Sequence, residues 1–133
     1  MTGTLVDSNV LIDVISESPA WFSWSSAQLA AAFDRGKVII NPVIYAEVSI
    51  GFRRIEEVED ALADFSWLHL SREACYLAGK SFLEYKRRGG IRSAPLPDFF
   101  IGAQASIHGL TLLTRDTGRY HSYFRGLKLI EPS

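Results

Sequence analysis

Four carboxylates carry the chemistry that this sequence can offer. Asp7 follows an apolar run at residues 3–6, and Glu47 falls inside "NPVIYAEVSIG". Asp98 opens "DFFIGAQASIHG", and Asp116 lies two residues past "LTLLT". Each has an ordinary local reading. Asp98 suits a helix cap, Asp116 a turn, and Glu47 a solvated helix face. Asp7 is harder to place that way, because an acid between two buried segments is costly without a partner. Four carboxylates within hydrogen-bonding range repel one another and raise each other's pKa values unless a cation neutralises them. A hard divalent ion answers that need, and Mg²⁺ takes carboxylate and water oxygens without histidine or cysteine. Such an ion polarises a phosphodiester, lowers the pKa of an attacking water and neutralises phosphate charge.

Around the acids stand neutral and basic groups with supporting chemistry. Asn9 and Thr114 supply an amide and a hydroxyl that can orient a carboxylate without adding charge, or alternatively cap a helix and close a strand. "KRRGGIR" places Lys86, Arg87, Arg88 and Arg92 shortly before Asp98, while Arg115, Arg119 and Arg125 follow "LTLLT". These arms are expected to meet phosphates beside the acidic crevice. His69, His108 and His121 form no close ligand pair, and His69 inside "WLHL" reads as structural. Trp21, Phe22 and Trp24 read either as local core or as an aromatic groove for a partner.

The elements that must position these groups follow from period and punctuation. Residues 3–6 suit an inner strand, and Val10, Leu11, Val14 and Ile15 recur at helical spacing up to a break at Pro19, which leaves Asp13 facing solvent. "SSAQLAAAFDRG" reads as a helix with a serine start, and "KVII" as a buried strand. Asn41 caps a helix with Pro42 in its first turn, running to about Ile50. Residues 54–65 form an amphipathic helix burying Ile55, Val58, Leu62 and Phe65, and "WLHL" a third strand. Ser71 starts a long helix to about Arg88 whose apolar face includes Cys75, Ala78, Phe82 and Tyr85. "GGIRSAPLP" is a connection, and Asp98 starts the next helix, which ends at Gly109. "LTLLT" and "LKLI" are strands around a crossover. Strands separated by helices indicate an α/β class with a mainly parallel sheet covered on both faces. In such sheets, sites form outside the carboxyl ends of the strands.

The totals bound the rest. A chain of 133 residues suits one domain, 1–133. With 47% hydrophobic and 22% charged residues it is globular rather than disordered. Apolar runs are too short to cross a bilayer, the start carries no secretory pattern, and the single Cys75 excludes a disulfide framework, so a cytoplasmic protein without membrane partners is expected. The formal charge of −1 argues against bulk coating of nucleic acid. It hides a gradient. Residues 1–60 hold nine acids and four bases, a charge of −5, and residues 61–133 hold six acids and ten bases, a charge of +4.

"LVDSNVLID", "NPVIYAEV", "PLPDFFIGAQA" and "LLTRDTGRY…GLKLI" resemble, in that order, the conserved blocks of the PIN domain, most closely its VapC-type toxin branch. The resemblance spans about residues 4 to 130. It implies a three-layer α/β/α sandwich with a central, mainly parallel sheet, and a Mg²⁺- or Mn²⁺-dependent endoribonuclease. It also implies frequent homodimers and inhibition by a cognate antitoxin whose C-terminal segment lies across the toxin. Asp7, Glu47, Asp98 and Asp116 match the family's acidic quartet, with Asp7, Asp98 and Asp116 as metal ligands, and Asn9 and Thr114 match its small polar positions. The likeness departs after Asp116, where "TGRYHS" has no further acid or asparagine, so one tightly held ion is expected and a second only with RNA. Alternative readings are another phosphoesterase or DNA-directed nuclease on the same acids, a regulatory domain with a modified aspartate, and a metal-binding interaction domain without catalysis.

Overall fold

Thr4–Val6, Val38–Ile40 and Thr111–Leu113 are three short, almost wholly apolar runs, and strands buried on both faces read this way. In the computed structural model, which describes residues 3–133, they form β1, β2 and β4 at the centre of one sheet. Residues 1 and 2 of the expected 1–133 domain lie outside the described residues. Ser66–Trp67 adds β3 beyond β2, and Leu129–Ile130 adds β5 beyond β4. The order is β3-β2-β1-β4-β5, with every pairing parallel. In register, Leu5 stands between Ile39 and Leu112, and all three side chains are at most 2% exposed. Each such burial contributes roughly 1.5–3 kcal/mol.

Parallel neighbours require crossovers, and helices supply them. Among the described residues these are α1 (Ser8–Ile15), α2 (Phe22–Arg35), α3 (Pro42–Ser49), α4 (Ile55–Ala61), α5 (Arg72–Arg87), α6 (Pro97–His108) and α7 (Gly118–Tyr123). The sheet is the middle layer of the α/β/α sandwich. From β1 the chain steps outward through β2 to β3, then returns to the other side of β1 as β4. The crevice between the ends of β1 and β4 is therefore the topological switch point, where sites of open α/β sheets form. The order also differs from the 2-1-3-4-5 arrangement of a regulatory domain with a modified aspartate, which removes that alternative.

Several local expectations hold in detail. The Asn41 side chain accepts from the Ile44 amide at 2.9 Å, with Pro42 in the first turn of α3. Ser71 accepts from Ala74 at 3.1 Å, and Gly109 ends α6 in the left-handed region at φ +64°. Asn41 also donates to Gln104 at 2.7 Å, and Gln104 donates to the His69 carbonyl at 2.6 Å. This buried chain fixes α3 against α6, and hence Glu47 against Asp98.

Other expectations are corrected. β3 ends at Trp67 rather than spanning "WLHL", because the His69 carbonyl is taken by Gln104 instead of a strand partner. The first helix stops at Ile15, well before Pro19, with Glu17 at φ +53° turning the chain. α2 starts at Phe22, not at the serines, since the Ser18 hydroxyl and carbonyl receive the amides of Trp21 and Phe22. α4 is shorter than 54–65, and Ile55 stays 65% exposed at its first position while Val58 and Leu62 are buried. Cys75 lies on the exposed side of α5. Leu96 is the cap of α6 and Pro97 its first residue, which puts Asp98 inside the first turn, where the helix dipole favours a negative charge.

Candidate active site

Asp7 leaves β1 directly into α1 and is only 4% exposed. Its Oδ2 accepts from the Thr114 hydroxyl at 2.9 Å and the Tyr120 hydroxyl at 2.8 Å, while the Asn9 amide stands at 3.5 Å. Thr114 follows β4 and Tyr120 lies in α7, so three elements grip one carboxylate oxygen. Oδ1 has only a long contact, 3.4 Å, from the Ser8 hydroxyl. Ser8 donates its proton to Glu47 Oε1 at 2.7 Å, tying α1 to α3.

These acids sense one another. Burial raises the Asp7 pKa to about 6; the Tyr120 and Thr114 hydrogen bonds oppose the rise, and the charges of Asp98 and Glu47 add to it. Glu47 is also raised, first by burial, against the Ser8 hydrogen bond and with help from Asp98. Asp98 is raised by burial, opposed by Arg119 and reinforced by Asp116. Tyr120 is held well above its ordinary value by burial and by the acids it faces, so it stays a proton donor. Asp116 lies at the exposed end of the group. Its amide donates to Thr114 Oγ1 at 3.1 Å, which holds the turn that carries it.

Asp13 corrects the sequence reading outright. It is 2% exposed rather than solvent-facing, because Arg115 folds back over α1 to meet it. Arg115 Nε and Nη2 hold Asp13 Oδ2 and Oδ1 at 2.6 and 3.0 Å, and Ser25 of α2 donates to Oδ2 at 2.7 Å. The guanidinium also lies 5.3 Å from the Trp21 ring, and the Arg115 amide meets Asn9 Oδ1 at 3.4 Å. Arg115 is thus a clamp beside Asp116 rather than a free phosphate arm. Trp24 packs against the core, Trp21 lies under Arg115, and Phe22 is 37% exposed.

Arg119 lies among the acids, its Nη1 3.2 Å from Asp98 Oδ2. A groove of about 340 Å³ lined by Tyr85, Asp98, Asp116, Arg119 and Tyr123 opens there. It adjoins a second, of about 360 Å³, with Lys80, Arg88 and Arg125 in its walls; Ser122 and Tyr123 belong to both. Arg88 pairs with Glu84 at 3.3 Å and lies 4.7 Å from the Tyr123 ring. Lys86, Arg87 and Arg92 are exposed around the end of α5. His121 meets Glu131 at 2.9 Å, and the His69 ring accepts from Trp67 at 3.4 Å.

Ser8, Tyr120 and the role of Asp13 were not singled out by sequence. Asp13 does carry a signal, since it is flanked by Leu11, Ile12, Val14 and Ile15 in the apolar part of α1. Tyr120 carries none, because a six-residue helix is too short to show a period. As the side chains stand, no three His, Cys, Asp or Glu groups among the described residues converge on one ion position. The donor set nevertheless fits a hard cation: it is all oxygen, and Asp7 stands buried with its pKa at about 6 beside other raised carboxyls.

A family model described as the PIN domain matches residues 4–124. A search of curated proteins finds no match. Among solved structures, a chain of VapBC2 from Rickettsia felis bound to a promoter DNA fragment is 17% identical, with all of both chains covered and a TM-score of 0.76. A toxin-antitoxin complex from Klebsiella pneumoniae is 26% identical over 98% of each chain, with a TM-score of 0.72. FitAcB from Neisseria gonorrhoeae is 21% identical over 96% of each chain, with a TM-score of 0.71.

Proposed function

The chain belongs to the PIN domain family, and from that premise we propose that it is a Mg²⁺-dependent endoribonuclease of the VapC type, with Mn²⁺ able to replace Mg²⁺. The observation that carries the reading is the buried Asp7 at the switch point, its pKa raised by burial and by the charges of Asp98 and Glu47. Asp7, Asp98 and Asp116 would hold the ion. When bound, it supplies Lewis-acid polarisation of the phosphodiester and an acidified water.

The chain's own residues do the remaining work. Thr114 and Tyr120 commit Asp7 Oδ2 to short hydrogen bonds, which leaves Oδ1, with its one 3.4 Å contact from Ser8, as the freer oxygen for a cation. Glu47, with its raised pKa and its Ser8 hydrogen bond, is placed to take the proton released by an attacking water. The run of grooves from Asp98 and Asp116 past Tyr123 to Arg88 and Arg125 gives a phosphate backbone a basic approach to the acids. Lys86, Arg87 and Arg92 extend that approach. Reading the substrate as structured RNA follows the family and this approach.

A protein inhibitor also has support. Ile12, Ile15, Val48, Ile50 and Phe52 line an apolar groove of about 440 Å³ whose wall also includes Glu47. The Klebsiella pneumoniae structure is a toxin-antitoxin complex, and a cognate antitoxin segment seated here would reach the acids. A homodimer is proposed with it. Among the described residues no helix is long and apolar enough to cross a membrane.

Incubation with a structured RNA and a single-stranded DNA, each with and without Mg²⁺, tests the activity. RNA cleavage that needs Mg²⁺ and is lost in Asp7→Asn and Asp98→Asn is expected. Equal cutting by those variants, or cutting of DNA alone, rejects the reading.

A further inference from the structure

Two arginines meet aspartates near the site, and they do so differently. Arg115 grips both oxygens of Asp13, whose side chain is 3% exposed. Arg119 reaches Asp98 through one nitrogen at 3.2 Å, and their side chains remain 31% and 30% exposed. A forked contact to a buried carboxylate resists exchange, whereas a single contact to a carboxylate in an open groove is readily traded for another anion. Arg119 also has a seat of its own. Its guanidinium lies 5.6 Å from the Tyr85 ring centre and 5.5 Å from that of Phe99, positions that attract a cation whichever anion it faces. Asp116 lines the same groove, and its carboxylate has no hydrogen bond or ion pair among the described residues.

Arg119 therefore holds a carboxylate that metal-dependent cleavage would require. We propose that Arg119 is an exchangeable counter-ion: it neutralises Asp98 until a divalent cation takes that carboxylate, and then turns on its aromatic seat to a phosphate of the substrate. This rests on the reading of the acids as a metal-dependent phosphodiesterase site. One positive charge then serves twice, first against carboxylate repulsion and afterwards against the phosphate. The two roles make opposite demands on a substitution. Removing Arg119 helps the cation and hurts the RNA, whereas loss of a merely structural residue weakens both.

Calorimetric titration of Mn²⁺ into the whole chain, compared across wild type, Arg119→Gln and Arg119→Lys, reads the exchange without turnover. Lys37→Gln removes an exposed charge just before β2, at the edge of the sheet opposite the acids, and serves as the control. Arg119→Gln is expected to bind Mn²⁺ roughly two- to fivefold more tightly, the effect of one partly exposed ion pair. Its KM for an RNA oligonucleotide should rise several-fold. Arg119→Lys should fall between it and wild type in both readouts, and it carries the test if Arg119→Gln does not fold. Unchanged or weaker Mn²⁺ binding in the Arg119 variants, or equal tightening in Lys37→Gln, overturns the exchange while leaving wild-type cleavage intact. Wild-type protein that neither binds Mn²⁺ nor cuts RNA overturns the nuclease reading itself.

Discussion

Replacing Asp7 by Asn should stabilise the metal-free protein at neutral pH while abolishing cleavage. The folded chain holds the Asp7 proton to about pH 6, against an unperturbed value of 3.8. The folded state therefore binds this proton more tightly than the unfolded state, and its stability falls as pH rises from about 4 to about 6. At about 1.4 kcal/mol per pH unit, the raised Asp7 pKa lowers stability, relative to low pH, by roughly 3 kcal/mol at pH 7.5 and about 1 kcal/mol at pH 4.5. Asn accepts the same Thr114 and Tyr120 hydrogen bonds without the charge. The stability difference, variant minus wild type, should therefore widen by about 2 kcal/mol between pH 4.5 and 7.5. Urea unfolding in a chelator across that range, with unchanged m-values, measures it. Adding Mg²⁺ at pH 7.5 should stabilise wild type alone, by about 1.4 kcal/mol at ten times its dissociation constant, and so narrow the gap. A difference that is flat with pH, or equal Mg²⁺ stabilisation of both proteins, refutes the reasoning.

Arg115→Ala leaves Asp13 buried and unpaired, so unfolding in urea should show a loss of about 3 kcal/mol, the low end for a buried pair because Arg115 is partly exposed. A double-mutant cycle with Asp13→Asn should recover much of that loss. Tyr120→Phe removes a hydrogen bond that lowers the Asp7 pKa, so the acid limb of the pH–rate profile should move to higher pH; an unmoved limb counts against the Asp7 assignment. Neutralising Arg87 and Arg88 together should weaken RNA binding and reduce its salt dependence, each lost phosphate contact lowering the slope by roughly 0.7–0.9. Unchanged binding and slope would remove them from the RNA path.

The central strands were plain in the sequence because an unbroken apolar run has no other use in a chain of this size. Asn41, Ser71 and Gly109 marked helix ends correctly because their chemistry is local, a side-chain oxygen for an amide or a backbone with positive φ. Asp7 stood out because a buried acid is expensive. Ser8 and Tyr120 did not, since what singles them out is their contact with Glu47 and with Asp7, which only the folded chain creates. Asp13 and Arg115 misled for the same reason. Separated by 102 positions, each looked like a surface charge until the switch point brought them together. The helix boundaries that moved, at Ile15, Phe22 and Ala61, were set by turn hydrogen bonds and not by hydrophobic period.

The proposed RNA cleavage by the acids at the switch point leaves new ends that can be read in cells. Mapping new RNA 5′ ends in cells after controlled production of wild type and of Asp98→Asn tests it most directly. A discrete set of ends that appears with wild type and is absent with Asp98→Asn is predicted. The same ends with both proteins, or none with either despite folded protein, would contradict it.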